Sequence, residues 1–130
     1  LDIQKHVRFV NRYVSLEKLV SFVGASDFYI TPYLDSQQAA SGSLAYAIGA
    51  GKLCISTGYL YAKEMLSNGR GVLVPFHNSN AIAEAVLNLY NKKREKKRRE
   101  LKTYEVGRKM TWTNVGHLYF HLFQRALKKI

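Results

Sequence analysis

The feature that most constrains the fold is a small-residue helix between two strand-like runs, within residues 27–57. The run DFYITPY is rich in aromatic and β-branched residues, and LCIS is apolar like the buried strands of parallel sheets. Between them, Ser41-Gly42-Ser43 opens a helix, and Gly49-Ala50-Gly51 turns the chain back. This order predicts a parallel pair of strands, with the helix start at a sheet edge suited to phosphate.

The same alternation of β-rich runs and helical faces covers residues 7–91. Four strands are predicted, at residues 7–12, 28–32, 53–56 and 71–75. Ser15 is a candidate cap for a helix that ends at Gly24, and Ser79 is predicted to cap the helix after the last strand. The fold class is therefore α/β, a doubly wound, Rossmann-like parallel sheet of about four strands with a C-terminal helical tail.

Composition places the chain among globular proteins. Its 130 residues are 47% hydrophobic, which suffices for a core. No apolar run approaches the roughly 18 residues of a membrane span, and no signal peptide is visible, so a cytoplasmic location is expected. The start LDIQKH, without Met, indicates a piece of a longer protein. The single cysteine, Cys54, lies in an apolar run and is interpreted as a buried thiol.

The positive charge lies in the last third of the chain. Residues 1–91 carry seven Lys or Arg and six Asp or Glu, whereas residues 92–130 carry thirteen and three. We therefore divide the chain into an α/β domain, 1–91, and a tail, 92–130, with a basic helix and an amphipathic terminal helix. The run at residues 92–102 is expected to face solvent throughout, because so many charges cannot be buried unpaired. An anionic membrane surface is the alternative partner for it, and nucleic acid is not expected.

Several segments in order resemble one family. HVRFVNRYVSLEKLVSFVGASDFYITPY is similar to its first strand, helix and second strand, with Asn11 where Gly is usual and Tyr33 where Ser is usual. GRGVLVPFHNSNAIAEAVLNLY is similar to its later strand and helix, and GRKMTWTNVGHLYFHLF to its closing segment. The chain thus resembles the C-terminal, donor-nucleotide-binding domain of GT-B glycosyltransferases of the family 4 (group 1) type.

The resemblance implies a set of donor-binding residues. The family's two glutamates, which contact the donor sugar and the nucleotide ribose, fall on Gln38 and Tyr46, with seven residues between them. The backbone amides of Ser41-Gly42-Ser43 match the positions that hold the donor diphosphate, which also suits a helix N-terminus. Glu64 matches a further family glutamate, and Arg70 is either a phosphate contact or a surface turn residue.

The resemblance also implies an activity. The full enzyme would be a hexosyltransferase-type enzyme that moves a sugar from a nucleoside diphosphate sugar to an acceptor hydroxyl, with retention. The acceptor is open (a glycan, a lipid or a small molecule), and the fragment alone is expected to be inactive without the N-terminal domain of the same enzyme. Neither a cofactor nor a metal is expected, and the catalytic residues are unknown. His117 and His121 are interpreted as packing residues rather than zinc ligands.

Two alternatives stay open beside this interpretation. One is a degenerate, non-enzymatic GT-B module that binds a partner or polyanion, and the other is a nucleotide-sugar epimerase. The tail also carries an apolar stripe that one domain does not obviously cover, formed by Val115, Leu118, Tyr119, Leu122, Phe123 and Ala126. We expect this stripe to fold back onto the sheet domain, to pack against another copy, or to stay partly exposed. Peripheral contact with the inner face of a membrane, through the basic tail, is a further expectation.

Overall fold

The computed structural model describes residues 2–128 as strands and helices in alternation, followed by two long helices. The strands are β1 (Tyr29–Thr31), β2 (Cys54–Thr57) and β3 (Val72–Val74). The helices are α1 (Leu16–Ala25), α2 (Gly42–Gly49), α3 (Leu60–Met65), α4 (Ser79–Asn91), α5 (Lys93–Lys109) and α6 (Trp112–Leu127). A short 3-10 turn, Gln4–His6, precedes them.

The three strands form one parallel sheet in the order β1-β2-β3. Tyr29 pairs with Cys54, and Ile55 pairs with Val72, so β2 is the central strand, and all four of its residues are buried. Because each strand is followed by a helix before the next strand begins, the sheet is Rossmann-like, as the sequence predicts.

The predicted strand at residues 7–12 is wrong. These residues form neither strand nor helix, and the aromatic ring of Phe9 is 88% exposed. Alternation in the sequence is not enough for a strand, because a strand also needs a sheet edge to pair with. The other three predicted strands are present, each within one or two residues of its expected bounds.

Short polar side chains fix the helix starts. Ser15 and Ser41 cap α1 and α2 by accepting hydrogen bonds from the backbone N–H groups of Lys18 and Leu44, as predicted. For α4 the cap is Asn78 and not Ser79, because the Asn78 side chain accepts from the N–H of Ala81 at 2.9 Å. Ser79 is the first residue of that helix.

The core lies between the sheet and α2. Three apolar side chains of α2, Leu44, Ala47 and Ile48, are fully buried, beside Cys54 of β2 and Tyr59. Removing such side chains from water supplies most of the stabilisation of a domain this size. Helix α2 is therefore held against the sheet by its apolar face.

The basic helix α5 does not face solvent throughout, so this expectation is wrong. Within residues 92–102, the side chains of Glu95, Lys96, Arg99 and Glu100 are only partly exposed. Beyond that run, α5 packs on α2 through the buried Gly107. We call the α/β part, residues 2–91, the body. The charged side chains of α5 nearest the body are paired: Lys96 lies 3.0 Å from Asp27, and Arg99 lies 2.8 Å from Glu95. Pairing lets half-buried charges approach the body, which the argument from charge density did not consider.

The terminal helix α6 differs from α5. None of its described side chains is buried, and of the apolar stripe only Val115 is half-buried, so the stripe stays largely exposed. The predicted extent of this helix included Lys129 and Ile130, which lie outside the described residues. Within residues 2–128, no helix combines the length and the apolar character needed to cross a bilayer.

Candidate functional site

The carboxyl ends of β1 and β2 are tied together by hydroxyl groups. The Thr57 Oγ1 donates to the carbonyl oxygen of Tyr33 at 2.5 Å, and the Ser56 Oγ donates to that of Thr31 at 3.0 Å. Thr31, Ser56 and Thr57 are buried, so the Ser56 bond is shielded from water and the Thr57 bond is partly shielded. The segment that leads from β1 into α2 therefore starts from a fixed edge.

The N-terminus of α2 lies just beyond this edge. The Ser41 Oγ accepts from the N–H of Leu44 at 3.2 Å and lies 3.4 Å from the Ser43 Oγ. The N–H groups of Gly42 and Ser43 are in the first turn, where a helix offers no backbone acceptor. A Cβ built on Gly42 would have no heavy atom within 4 Å, so the space beside these N–H groups is open. Open N–H groups at the positive end of a helix dipole suit an anion.

Tyr33 adds a phenol to the helix start. Hydrogen bonding to the Ser43 hydroxyl, and then to that of Ser41, lowers the pKa of Tyr33 below its ordinary value, despite some opposing burial. The Tyr33 ring meets the ring of Tyr59 edge to face, with centroids 5.2 Å apart. Groups that favour a phenolate also favour other anionic oxygens at the same place. The donors around Ser43 thus reinforce the dipole of α2.

Sequence reasoning missed the roles of two tyrosines. It treated Tyr33 only as a departure from a serine, and it did not consider Tyr29. Burial raises the pKa of Tyr29, and hydrogen bonding to Ser43 opposes that rise. The signal for Tyr33 was its position directly after Pro32, where the chain leaves β1 at the carboxyl edge.

The loop that carries Gln38 is anchored to α3. The carbonyl oxygen of Gln38 accepts from the N–H of Tyr61 at 3.2 Å, and the Gln38 Nε2 donates to the carbonyl oxygen of Ala40 at 3.0 Å. The Gln38 side chain is half-buried and also contributes to the lowered pKa of Tyr33. Gln38, Ser41 and Ser43 thus all lower the pKa of Tyr33, and the hydroxyls of Ser41 and Ser43 lie 3.4 Å apart.

Tyr46 lies on a different side of α2, 46% exposed. It shares with Gly42 a cleft of about 590 Å³ between α2 and the junction of α5 and α6. The cleft is also lined by Val20, Ala45, Gly49, Ala50, Gly107, Arg108, Met110, Thr111 and Trp112. Its volume is in the range of small-molecule sites. Gly42 is thus the one position of the helix start that lines the cleft with Tyr46, whereas Gln38, Ser41 and Ser43 do not line it.

Glu64 is not part of the cluster around Tyr33. It is exposed on α3, and no hydrogen bond among residues 2–128 joins its carboxylate to the start of α2. Its charge acts instead on Tyr61, whose pKa is raised first by burial and then by Glu64. Arg70 caps the C-terminus of α3, with its guanidinium donating to the carbonyl oxygens of Met65 and Glu64 at 2.6 Å. Arg70 is therefore a structural residue of this turn.

The cluster contains no acidic side chain. Its members are hydroxyls, an amide and helix N–H groups, all able to donate to a negative ligand. Within residues 2–128, no group of three His, Cys, Asp or Glu side chains is placed to hold a metal ion. What the arrangement offers chemically is electrostatic binding of an anion beside a cleft.

Comparison with known proteins identifies a family for the α/β part of the chain. Residues 1–92 match a family whose description is glycosyl transferases group 1. None of the curated proteins compared with the chain matches it. The matched segment contains the whole sheet, α2 and its N-terminal cluster.

Proposed function

Because the chain belongs to the group 1 glycosyltransferases, we propose that it binds the nucleoside diphosphate sugar donor of such an enzyme. The observation that carries the proposal is the open N-terminus of α2, with Ser41 and Ser43 set around an unobstructed Gly42. A diphosphate is the most highly charged part of such a donor. Its oxygens would accept from the N–H groups of Gly42 and Ser43 and from the nearby hydroxyls.

Each remaining site residue has a proposed role. Gln38 would hydrogen-bond a hydroxyl of the donor sugar through its side-chain oxygen, since its amide nitrogen already donates to Ala40. Tyr46 would contact the ribose from the cleft, by stacking or through its hydroxyl. Glu64 would act only on a ligand that reaches α3. During the reaction, the N-terminus of α2 would stabilise the negative charge that develops on the diphosphate.

The wider context of the proposal is a retaining, hexosyltransferase-type enzyme of GT-B fold and family 4. Residues 1–91 would form part of its C-terminal, donor-binding domain, residues 92–130 would form the tail, and the sugar would pass to the hydroxyl of a glycan, lipid or small molecule. An N-terminal domain of the same enzyme would complete the site, so this chain alone would be inactive. We place the enzyme in the cytoplasm, at the inner face of a membrane that the basic tail contacts.

A second candidate has its own observation. Gln38 and Tyr46 stand where the family has glutamates, and thirteen of the chain's basic residues lie in the tail. A non-enzymatic module that binds a polyanion would have both properties. A nucleotide-sugar epimerase would share the proposed donor site but not the transfer to an acceptor.

Calorimetric titration of the chain with UDP-, ADP- and GDP-sugars tests the donor site. Gly42→Val places a branched side chain in the space proposed for phosphate, so we expect at least about tenfold weaker binding of the preferred donor. Gly24→Val is the matched control, because Gly24 is also helical and also has open space around its Cβ. Tyr46→Ala should weaken binding more than it weakens the fold, since Tyr46 is half-exposed.

The same titrations separate the alternatives. Equal affinity of the Gly42→Val and Gly24→Val variants for the donor would show that the donor does not bind at the N-terminus of α2. Binding of heparin with no binding of any nucleotide sugar would favour the polyanion module. Product analysis of the complete enzyme with its donor then distinguishes epimerisation of the sugar from its transfer.

A further inference from the structure

The cleft beside α2 holds a fixed cation that none of the proposed donor contacts uses. Arg108, near the end of α5, lines this cleft of about 590 Å³ together with Gly42 and Tyr46. Its Nη2 donates to the carbonyl oxygen of Gly49, the last residue of α2, at 2.8 Å. The guanidinium also lies over the ring of Tyr104, with its central carbon 4.8 Å from the ring centroid. These two contacts hold the cation at the end of α2 that is opposite to Gly42.

Most of the hydrogen-bond donors of Arg108 remain available. A guanidinium carries five N–H groups in a rigid plane, and the carbonyl oxygen of Gly49 accepts from one nitrogen only. Arg108 is exposed, and it forms no ion pair within the described residues 2–128. The remaining N–H groups can therefore donate to an acceptor that is placed in the cleft.

The walls between the two ends of the cleft are mainly apolar. Gly42 and Gly49 are the first and last residues of α2, and seven steps of 1.5 Å place them about 10 Å apart. The side chains along this stretch are those of Val20, Ala45, Tyr46 and Met110. A mainly apolar slot with hydrogen-bond donors at both ends suits a flat aromatic ring that is linked to a charged group.

We propose that Arg108 donates hydrogen bonds to a carbonyl oxygen on the base of the donor nucleotide, and so selects guanine or uracil over adenine. This inference rests on the proposed function, because the diphosphate at Gly42 places the nucleoside along α2, with its ribose beside Tyr46. The helix dipole decides which part of the donor meets Arg108. The carboxyl end of α2, at Gly49, is negative, which disfavours a phosphate there and leaves a neutral base unaffected.

The bases differ in what their edges offer to a guanidinium. Guanine presents two adjacent acceptors, N7 and O6, and uracil presents O4 as thymine does. Adenine presents an N6 amino group beside N7, so one N–H group of the guanidinium would face another donor. We therefore expect GDP or UDP to bind at least about fivefold more tightly than ADP.

Calorimetric titration of the chain with GDP, UDP and ADP tests the assignment through two variants. Arg108→Met keeps a long side chain without donors, so the affinity for the preferred nucleotide should fall at least about fivefold while the affinity for ADP stays unchanged. Arg108→Gln introduces an amide, which both donates and accepts and matches N6 and N7 of adenine. This second variant should move the preference toward ADP, an effect that a purely structural role of Arg108 would not produce.

Two controls separate the base from the phosphates and from the fold. Inorganic pyrophosphate has no base, so the parent chain and both Arg108 variants should bind it equally. Arg94→Gln changes an exposed arginine on the same helix, outside the cleft, and should leave every affinity unchanged. Urea denaturation of each variant, followed by circular dichroism, reports any loss of stability from the missing bond to Gly49.

Two results would overturn the inference while leaving the donor site in place. One is a parent chain that binds ADP as tightly as GDP and UDP, with all three weakened by Gly42→Val. The other is an Arg108→Met variant that weakens the three nucleotides and pyrophosphate equally, which would make Arg108 a phosphate contact or a structural residue. A parent chain that binds none of the nucleotides would overturn the inference and the proposed donor site together.

Discussion

Helices α5 and α6 follow each other in the chain, yet their relation to the body is the reverse of what their compositions suggest. α5 is dominated by Lys, Arg and Glu and packs on α2. α6 is rich in Leu, Tyr and Phe and has none of its described side chains buried. The difference teaches that apolar character alone does not dock a helix, because docking needs a surface of matching shape and satisfied polar groups.

Close approach explains why α5 docks. A Cβ on Gly107 would lie 2.5 Å from the carbonyl oxygen of Ile48 and 2.9 Å from the Cα of Gly49, so only glycine lets the two helices meet. One turn earlier, the buried Thr103 Oγ1 donates to the carbonyl oxygen of Arg70 at 2.8 Å. α6 has a glycine as well, Gly116, but nothing lies within 4 Å of the position of its Cβ.

The largest effect on stability is expected at Gly107 of α5, with Gly116 of α6 as the matched control. Gly107→Ala should lower the free energy of unfolding by about 2–3 kcal/mol, because the new methyl group meets backbone atoms that cannot rotate away. Gly116→Ala should leave the unfolding midpoint of the body unchanged and raise helicity slightly, since alanine favours a helix. Urea denaturation followed by circular dichroism measures both. A tolerated Gly107→Ala would mean that α5 is not docked as described.

A smaller effect on stability is expected at Thr103 of α5, with Thr113 of α6 as the matched control. Thr103→Val keeps the shape of a fully buried side chain but removes the single hydroxyl hydrogen that the carbonyl oxygens of Arg70 and Arg99 share. We expect a loss of about 1–2 kcal/mol, mainly because the Arg70 carbonyl loses a donor in a buried contact. Thr113→Val on exposed α6 should change stability by less than about 0.5 kcal/mol. Equal effects at the two sites in the same denaturation experiment would contradict the contrast between the helices.

The smallest effect concerns pH and Cys54, which lies under α2 in the body. Burial raises the pKa of the Cys54 thiol from 9.0 to about 12. The native thiol therefore stays protonated while the unfolded thiol ionises, so its contribution to stability is fully present below pH 9 and is lost as pH rises toward 12. Between pH 9 and pH 10 we expect a loss of about 1 kcal/mol, absent in Cys54→Ala. A variant with the same pH dependence as the parent would show that the thiol is not buried.

The part of the fold that sequence could predict is the part governed by local patterns. The apolar run at β2 and the serines before α1 and α2 are local signals, and the structure confirms them. The strand at residues 7–12 failed because pairing depends on a neighbouring strand, which no local pattern reveals. The docking of α5 was missed because it depends on the distance between Gly107 and Ile48, and these residues are far apart in the sequence.

The candidate site also has features that local sequence patterns predict and features that depend on the folded chain. Ser41, Gly42 and Ser43 were predicted to open a helix from a readable capping pattern, and the structure confirms that position. Their binding of a diphosphate, which the family resemblance implies, stays a prediction. The convergence of Tyr33 on Ser43 was not foreseen, because it depends on how the loop after β1 turns back over α2. Glu64 was matched by position in the chain, and the structure places it on an exposed face of α3, apart from the cluster.

Amide hydrogen exchange of the chain, alone and with UDP, ADP or GDP in turn, tests most directly whether the body binds the donor while α6 stands apart. In the free chain, we expect α5 to exchange as slowly as α2 and α6 to exchange much faster, since only α5 is docked. At least one of the nucleotides should slow exchange further at residues 41–46 and leave α6 unchanged. Protection of α6 equal to that of α5, or no slowing at residues 41–46 with any of the three, would contradict the account.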